Sequence, residues 1–208
     1  MPLIGLENIE NIGTLGLWKI KESEEILLKL RQLPAKEKEE INSLKNSKKR
    51  RQRLAYRILL KEILQKDFTL SYNTQGKPFI DNETLYFSVS HSDEYAAVLL
   101  SHTHLVGVDI EKISQRMPAL ASRFLTPKEM NEIDLQNIDL LHIYWGAKEC
   151  LYKMYSEKTP LFSKHLTLKK FDILKQNHSI AHLSMEDLKA EYRLFFRKIE
   201  DYMLVYVY

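Results

Sequence analysis

The chain has 208 residues, of which 28% are charged and 44% hydrophobic, and a net charge of +3. That composition suits one large or two small globular domains and excludes a chain that is disordered, collagenous or coiled-coil throughout. The single cysteine, Cys150, excludes an internal disulfide and a multi-thiolate zinc site, and it fits a reducing, cytoplasmic setting.

No apolar run nears the ~20 residues that cross a bilayer. The opening Met1-Pro2-Leu3-Ile4-Gly5-Leu6-Glu7 lacks the basic region of a leader, so neither membrane nor export is expected. Helices are predicted over Glu22–Leu33 and Ala35–Leu44, separated by Pro34. The strongest helical pattern runs from Ser47 to Gln65, where Leu54, Ala55, Ile58, Leu59, Ile63 and Leu64 make a broad apolar face. The window Ile41–Lys61 holds Lys45, Lys48, Lys49, Arg50, Arg51, Arg53, Arg57 and Lys61 and no acid, so the rest of the chain is net acidic. Such a patch on a mildly acidic body predicts a compact anionic or phosphate-bearing partner.

Asn73-Thr74-Gln75-Gly76-Lys77-Pro78 reads as a turn. Three β-rich runs follow, Leu85–His91, Tyr95–Ser101 and Leu105–Glu111, with short polar breaks that predict an antiparallel meander. Helices are predicted over Pro118–Leu125, Pro127–Leu135 (with Thr126 as N-cap) and Leu140–Tyr155, and strands from Leu166 to Tyr208. A faint echo links Phe87–Leu100 to Leu194–Val207, with Tyr202 in the place of Tyr95. It predicts two similar halves with a ligand cleft between them.

Chemistry concentrates in two places. In Gly107-Val108-Asp109-Ile110-Glu111, alternation puts Val108 and Ile110 toward the core and Asp109 and Glu111 together on the other face. By themselves these acids read first as a solvated strand end. They read second as oxygen ligands for a divalent ion. On the helix that follows, Trp145, Glu149 and Lys153 share one stripe, either as a surface ion pair or as a third carboxylate with a phosphate-binding ammonium. Ser90-His91 at a strand end is a candidate phosphate contact. His102 and His104 read as a turn, and Cys150 as a buried structural thiol. No P-loop, dinucleotide fingerprint or G-x-S-x-G elbow is present.

Four segments in order then resemble the 4′-phosphopantetheinyl transferase superfamily, in its longer surfactin-synthetase-activating (Sfp-like) type. They are Gln75-Gly76-Lys77-Pro78, Phe87-Ser88-Val89-Ser90-His91-Ser92, Gly107–Glu111 and Trp145–Lys153, with Ser88 and Cys150 as small departures from the family pattern. The resemblance implies an α+β fold of two similar halves, residues 1–103 and 104–208, related by a pseudo-twofold with the site in the cleft. It implies transfer of the phosphopantetheine arm of coenzyme A to a serine of an apo acyl or peptidyl carrier protein, as in a holo-[acyl-carrier-protein] synthase. Mg²⁺ would serve as cofactor, and adenosine 3′,5′-bisphosphate would be released.

By the same resemblance Asp109, Glu111 and Glu149 are the metal ligands, with Glu149 and Lys153 in catalysis. Lys77 and Pro78 meet the adenine region, and Ser90 and His91 the phosphates. Arg53 and Arg57, with Lys36 as a further option, are candidates for the 3′-phosphate. The expected protein is a cytoplasmic monomer without nucleic-acid or membrane partners. The competing readings are a non-catalytic coenzyme A or carrier binder, a nucleic-acid module using the helix at 48–61, and another Mg²⁺-dependent phosphotransferase.

Overall fold

A computed structural model describes residues 3–208, with side chains from Gly5 onward. Met1 and Pro2, part of the stretch read above for a leader, lie outside the described residues. The chain divides into two compact units, one ending at His104 and the other spanning Leu105–Tyr208. Each is a mixed helix-and-sheet structure, so the fold is α+β.

The first unit opens with β1 (Leu3–Ile9) and β2 (Gly13–Lys19), followed by helices α1 (Glu24–Leu30), α2 (Ala35–Ser43) and α3 (Ser47–Leu64). The small hairpin β3 (Leu70–Tyr72) and β4 (Pro78–Ile80) comes next, then the long hairpin β5 (Tyr86–Ser92) and β6 (Tyr95–Ser101). Its main sheet runs in the order β1-β2-β6-β5. The apolar face of α3 supplies Leu54, Ala55, Ile58 and Leu59 to a core shared with Trp18, Phe87, Val98 and Leu100. Asn46 starts α3 by accepting the Lys48 and Lys49 amides, as a side-chain N-cap does. Strands β1 and β2 fall in a stretch for which the sequence reading assigned no element.

The second unit begins with β7 (Gly107–Lys112) and continues through α4 (Met117–Phe124), α5 (Pro127–Glu132), α6 (Ile138–Met154) and the short α7 (Phe162–His165). Strands β8 (Leu166–Leu168), β9 (His178–Ser184), β10 (Lys189–Ile199) and β11 (Tyr202–Val207) complete it. Thr126 and Glu129 form a capping box that fixes the start of α5. The sheet order is β7-β11-β10-β9-β8. This corrects the predicted meander: β5 and β6 pair as expected, but β7 leaves them and pairs antiparallel with β11. Short turns favour neighbours in sequence, yet the edge of the second sheet offers β7 a partner whose side-chain alternation matches its own.

That register also corrects the predicted orientation of β7. Asp109 lies opposite Val205, and Val205 opposite Phe196. Val205 and Phe196 both belong to the core under α6. Directly opposed residues point to the same face, so Asp109 occupies a core-facing position. Val108 and Ile110 lie on the other face and are fully buried as well.

Candidate functional site

In the second unit, two glycines draw α6 against β7 and β11. A Cβ on Gly107 would stand 2.7 Å from the Cys150 carbonyl oxygen, and one on Gly146 would stand 2.8 Å from a Val205 methyl. The absence of these atoms lets helix and strand approach at this level. The same approach brings Asp109 Oδ2 to within 3.4 Å of the position that a Gly146 Cβ would take.

Asp109 is only 2% exposed, which excludes the solvated strand end. Its Oδ1 accepts a hydrogen bond from Lys153 Nζ at 2.7 Å, and the same ammonium donates to the Val108 carbonyl at 3.1 Å. Burial, the largest single influence, would lower the Lys153 pKa, but Asp109, Cys150 and Glu149 together outweigh it and raise the value. Glu149 sits one turn before Lys153 and is half-buried. Its pKa is raised first by burial and then by the Asp109 charge, with Lys153 opposing. Asp109, Glu149 and Lys153 thus form one interacting group with two carboxylates and one ammonium. Glu111, two residues further along β7, is half-buried on the same face.

The expectation of a ready-made three-carboxylate cage is not met. Among the described residues, no three His, Cys, Asp or Glu side chains are grouped so that they could hold a metal ion. The physical reason is mutual repulsion between carboxylates, here offset for Asp109 by Lys153. What remains is a hard-oxygen pair, Asp109 and Glu149, whose charge one lysine only half balances. Mg²⁺ is commonly held by one or two carboxylates together with phosphate and water oxygens, and these residues fit that donor set.

The predicted stripe of α6 divides. Trp145 packs edge-on against Phe124 and tilted against Phe162, at 5.5 and 5.4 Å between ring centres. Lys148, quoted in the motif without a role, is fully buried on that side. Its ammonium donates to Glu129 Oε2 at 2.5 Å, the Phe124 carbonyl at 2.8 Å and the Phe162 carbonyl at 3.2 Å. All three of its protons are engaged, and it ties α4, α5 and α7 to α6. Cys150 is buried with its thiol pKa pushed well up by burial, as a structural residue requires.

The first unit gathers most of the predicted coenzyme A contacts around two tyrosines. The Tyr56 and Tyr72 hydroxyls share a hydrogen bond of 2.5 Å. The His91 ring lies parallel to that of Tyr56, 6.2 Å between centres. Tyr72 pairs across the β3–β4 hairpin with Pro78. Lys77 ends a turn in which Asn73 Oδ1 accepts the Gln75 and Lys77 amides at 3.1 and 2.8 Å. Arg53 donates to Tyr72 at 2.6 Å and stays 32% exposed. Ser90 is buried on β5, and Lys36 donates to Ser71 at 3.0 Å.

Arg57 has a different task from the one predicted. It is wholly buried, and its five N–H groups are all taken. They go to Glu37 at 2.9 Å, the Arg53 carbonyl at 3.0 Å, Tyr56 at 2.8 Å, Tyr72 at 3.1 Å and the Glu40 carboxylate. No donor is left for a phosphate. Much of the basic stripe is likewise neutralised, since Arg50 pairs with Glu24, Arg53 with Glu40 and Lys61 with Asp67. The sequence reading missed Glu37, Tyr72 and Glu129. The recurrence of Pro34-Ala35-Lys36-Glu37 as Pro127-Lys128-Glu129 was the one available signal for the two glutamates.

Residues 105–207 match the model of the 4′-phosphopantetheinyl transferase superfamily. Over these residues the chain belongs to this superfamily. Over 115 residues it is 36% identical to the 4′-phosphopantetheinyl transferase gsp of Aneurinibacillus migulanus, covering 48% of each chain. Over 112 residues it is 38% identical to AcpT of Escherichia coli O157:H7, covering 50% of this chain and 57% of that one. A 4′-phosphopantetheinyl transferase of Bacillus subtilis is 27% identical over 138 residues, 60% of this chain and 61% of the other. The matched part spans about half the length of the first two relatives. The Asp109–Glu149–Lys153 group lies inside the segment that carries the family match.

Proposed function

We propose that this protein transfers the 4′-phosphopantetheine arm of coenzyme A to the serine hydroxyl of an apo acyl or peptidyl carrier protein. The observation that carries this reading is the convergence of buried Asp109 with half-buried Glu149 and Lys153 within the family-matched segment. In the reaction a P–O bond of the coenzyme A pyrophosphate breaks and a bond from the serine oxygen to that phosphorus forms. Adenosine 3′,5′-bisphosphate leaves.

Asp109 and Glu149 would hold Mg²⁺, and Glu111, two residues along β7 from Asp109, would reach the ion only by moving toward it. When bound, the ion supplies Lewis-acid neutralisation of the pyrophosphate charge. Glu149 takes the serine proton. Its raised pKa brings it closer to the range in which a carboxylate works as a general base. Lys153 is held cationic by Asp109 and offers positive charge to the leaving phosphate. In the first unit, Lys77 and Pro78 receive the adenine region, Ser90 and His91 the phosphates, and Arg53, rather than the saturated Arg57, the 3′-phosphate.

We take the protein to act as a cytoplasmic monomer. Among the described residues no helix is long and apolar enough to cross a membrane. The test is mass spectrometry of an apo carrier protein incubated with this protein, coenzyme A and Mg²⁺. The carrier gains the phosphopantetheine mass with the wild type and does not with Asp109→Asn or Lys153→Met. No gain with the wild type on acyl and peptidyl carriers alike would leave a coenzyme A binder instead of an enzyme.

A further inference from the structure

On β9 and β10, Ala181, Leu183, Leu194 and Phe196 turn into the core under α6. Strand alternation therefore sends His178, Ile180, Arg193 and Phe195 to the opposite face, where register sets Phe195 beside His178 and Arg193 beside Ile180. Together with Lys169, Lys170, Gln176 and Ser179, these four residues line a cavity of about 600 Å³. It belongs wholly to the second unit, on the face of the sheet opposite Asp109.

Two properties of this cavity point to a ligand. The first is charge. Lys169, Lys170 and Arg193 contribute three permanent cations, and the lining contains no acid. Among the described residues none of the three side chains has a carboxylate or other side-chain partner, whereas Arg50, Arg53, Arg57 and Lys61 on α3 each face an acid. Like charges gathered in a concave site with low-dielectric walls produce a focused positive potential that attracts an anion.

The second property is a fixed aromatic floor. Phe195 stacks nearly parallel on Tyr206 and Tyr208, at 5.4 and 5.3 Å, and meets the His178 ring at 6.0 Å. These neighbouring rings hold its plane, and Phe195 is part of the cavity lining. A bare inorganic anion has no use for such a floor, and an aliphatic acid gains little from a plane. Phosphates with a heteroaromatic ring use both, as in the cation-plus-aromatic surfaces that bind nucleotides by stacking. The volume also lies within the range of small-ligand sites.

We propose that this cavity binds a nucleoside phosphate, with the base over Phe195 and His178 and the phosphates on Lys169, Lys170 and Arg193. The site is separate from the transfer chemistry and does not depend on that reading. The ligand is either a free nucleotide or a nucleotide unit of a single strand, which share this chemistry.

The test follows the backbone amides of Ile180, Arg193 and Phe195 by ¹⁵N NMR in the full chain, during titrations with ADP, inorganic pyrophosphate and a short single-stranded oligoadenylate. ADP shifts these amides saturably. Arg193→Glu and Lys170→Glu, both at exposed positions, each weaken ADP roughly tenfold. Phe195→Leu weakens ADP and leaves pyrophosphate unchanged. An oligoadenylate that binds more tightly than ADP, with a steeper salt dependence, identifies the strand as the source. One that binds no better identifies the free nucleotide.

Amides that stay unmoved at millimolar ADP, ADP affinity unchanged in both charge variants, or pyrophosphate binding as tightly as ADP would each overturn the proposal. Carrier modification measured on the same variants stays at the wild-type rate. A failure here is thereby separated from a failure of the transferase reading.

Discussion

Glu149, the proposed base, carries a cost to the fold. Its carboxyl is raised above the ordinary 4.5 by burial and by Asp109, so the folded chain binds that proton more tightly than the unfolded chain does. The stability linked to the proton is complete at low pH and is lost as pH rises through the folded value. At neutral pH the ionised carboxylate is therefore a burden on the fold. Glu149→Gln should raise the Tm by roughly 2 °C at neutral pH, and the gain should vanish below pH 4.5. Transfer to the carrier should be lost in the same variant. Thermal melts at the two pH values check this, and an equal gain at both would mean that burial and Asp109 are not what Glu149 bears. The acidity of the residue was legible from its place in the Trp145–Lys153 motif. Its interaction with Asp109 was not, because the two are forty residues apart in the chain.

At the scale of elements, each unit pins its long helix with a buried glutamate. In the first, Glu37 of α2 receives Arg57 of α3 at 2.9 Å and the Leu70 amide at 3.1 Å. In the second, Glu129 of α5 receives Lys148 of α6 at 2.5 Å and the Leu168 amide at 3.0 Å. Both pairs are essentially without solvent access. Removing one partner strands a buried charge, so Lys148→Met should cost about 3–5 kcal/mol. Replacing both partners removes that penalty, although the Leu168 and Thr126 amides still lose an acceptor. The double variant Lys148→Met/Glu129→Leu should therefore be more stable than Lys148→Met alone. Urea unfolding of the singles and the double closes the cycle. Additive costs would show that the two charges do not depend on each other. On a helical wheel Lys148 and Arg57 look like members of a polar stripe, and nothing local distinguishes them from Lys153 or Arg53.

Across the whole chain, the two units share a strand order around their central helix, β2-β6-β5 in one and β7-β11-β10 in the other. The register repeats as well: Lys19 opposes Tyr95, and Lys112 opposes Tyr202. In each pair the ammonium lies over the ring, at 5.5 and 5.9 Å from its centre. Three residues before those lysines stand Gly16 and Asp109, and one residue before stand Trp18 and Glu111. The first unit thus carries packing residues at the positions where the second carries Asp109 and Glu111. If the units divide the work in this way, His91→Ala should raise the KM for coenzyme A several-fold with little change in kcat, about 1–2 kcal/mol of binding. Asp109→Asn should lower kcat by orders of magnitude. Steady-state kinetics on one carrier decides this, and a His91→Ala effect confined to kcat would remove His91 from the binding role.

The amino-acid sequence by itself determined the helices α1 to α6, the late strands, the family motifs and the identities of the acids and bases, because periodicity, caps and short motifs are local properties. It left β1 and β2 unassigned and placed β7 in the wrong sheet, because strand pairing depends on partners distant in sequence. Only the tertiary structure decided which face of β7 meets α6, and with it that Asp109 is buried beside Glu149 and Lys153. It alone showed that Arg57 and Lys148 spend every donor inside the fold while Lys169, Lys170 and Arg193 find no acid among the described residues. A charge acquires its role from what surrounds it, and those surroundings come from segments that only folding brings together.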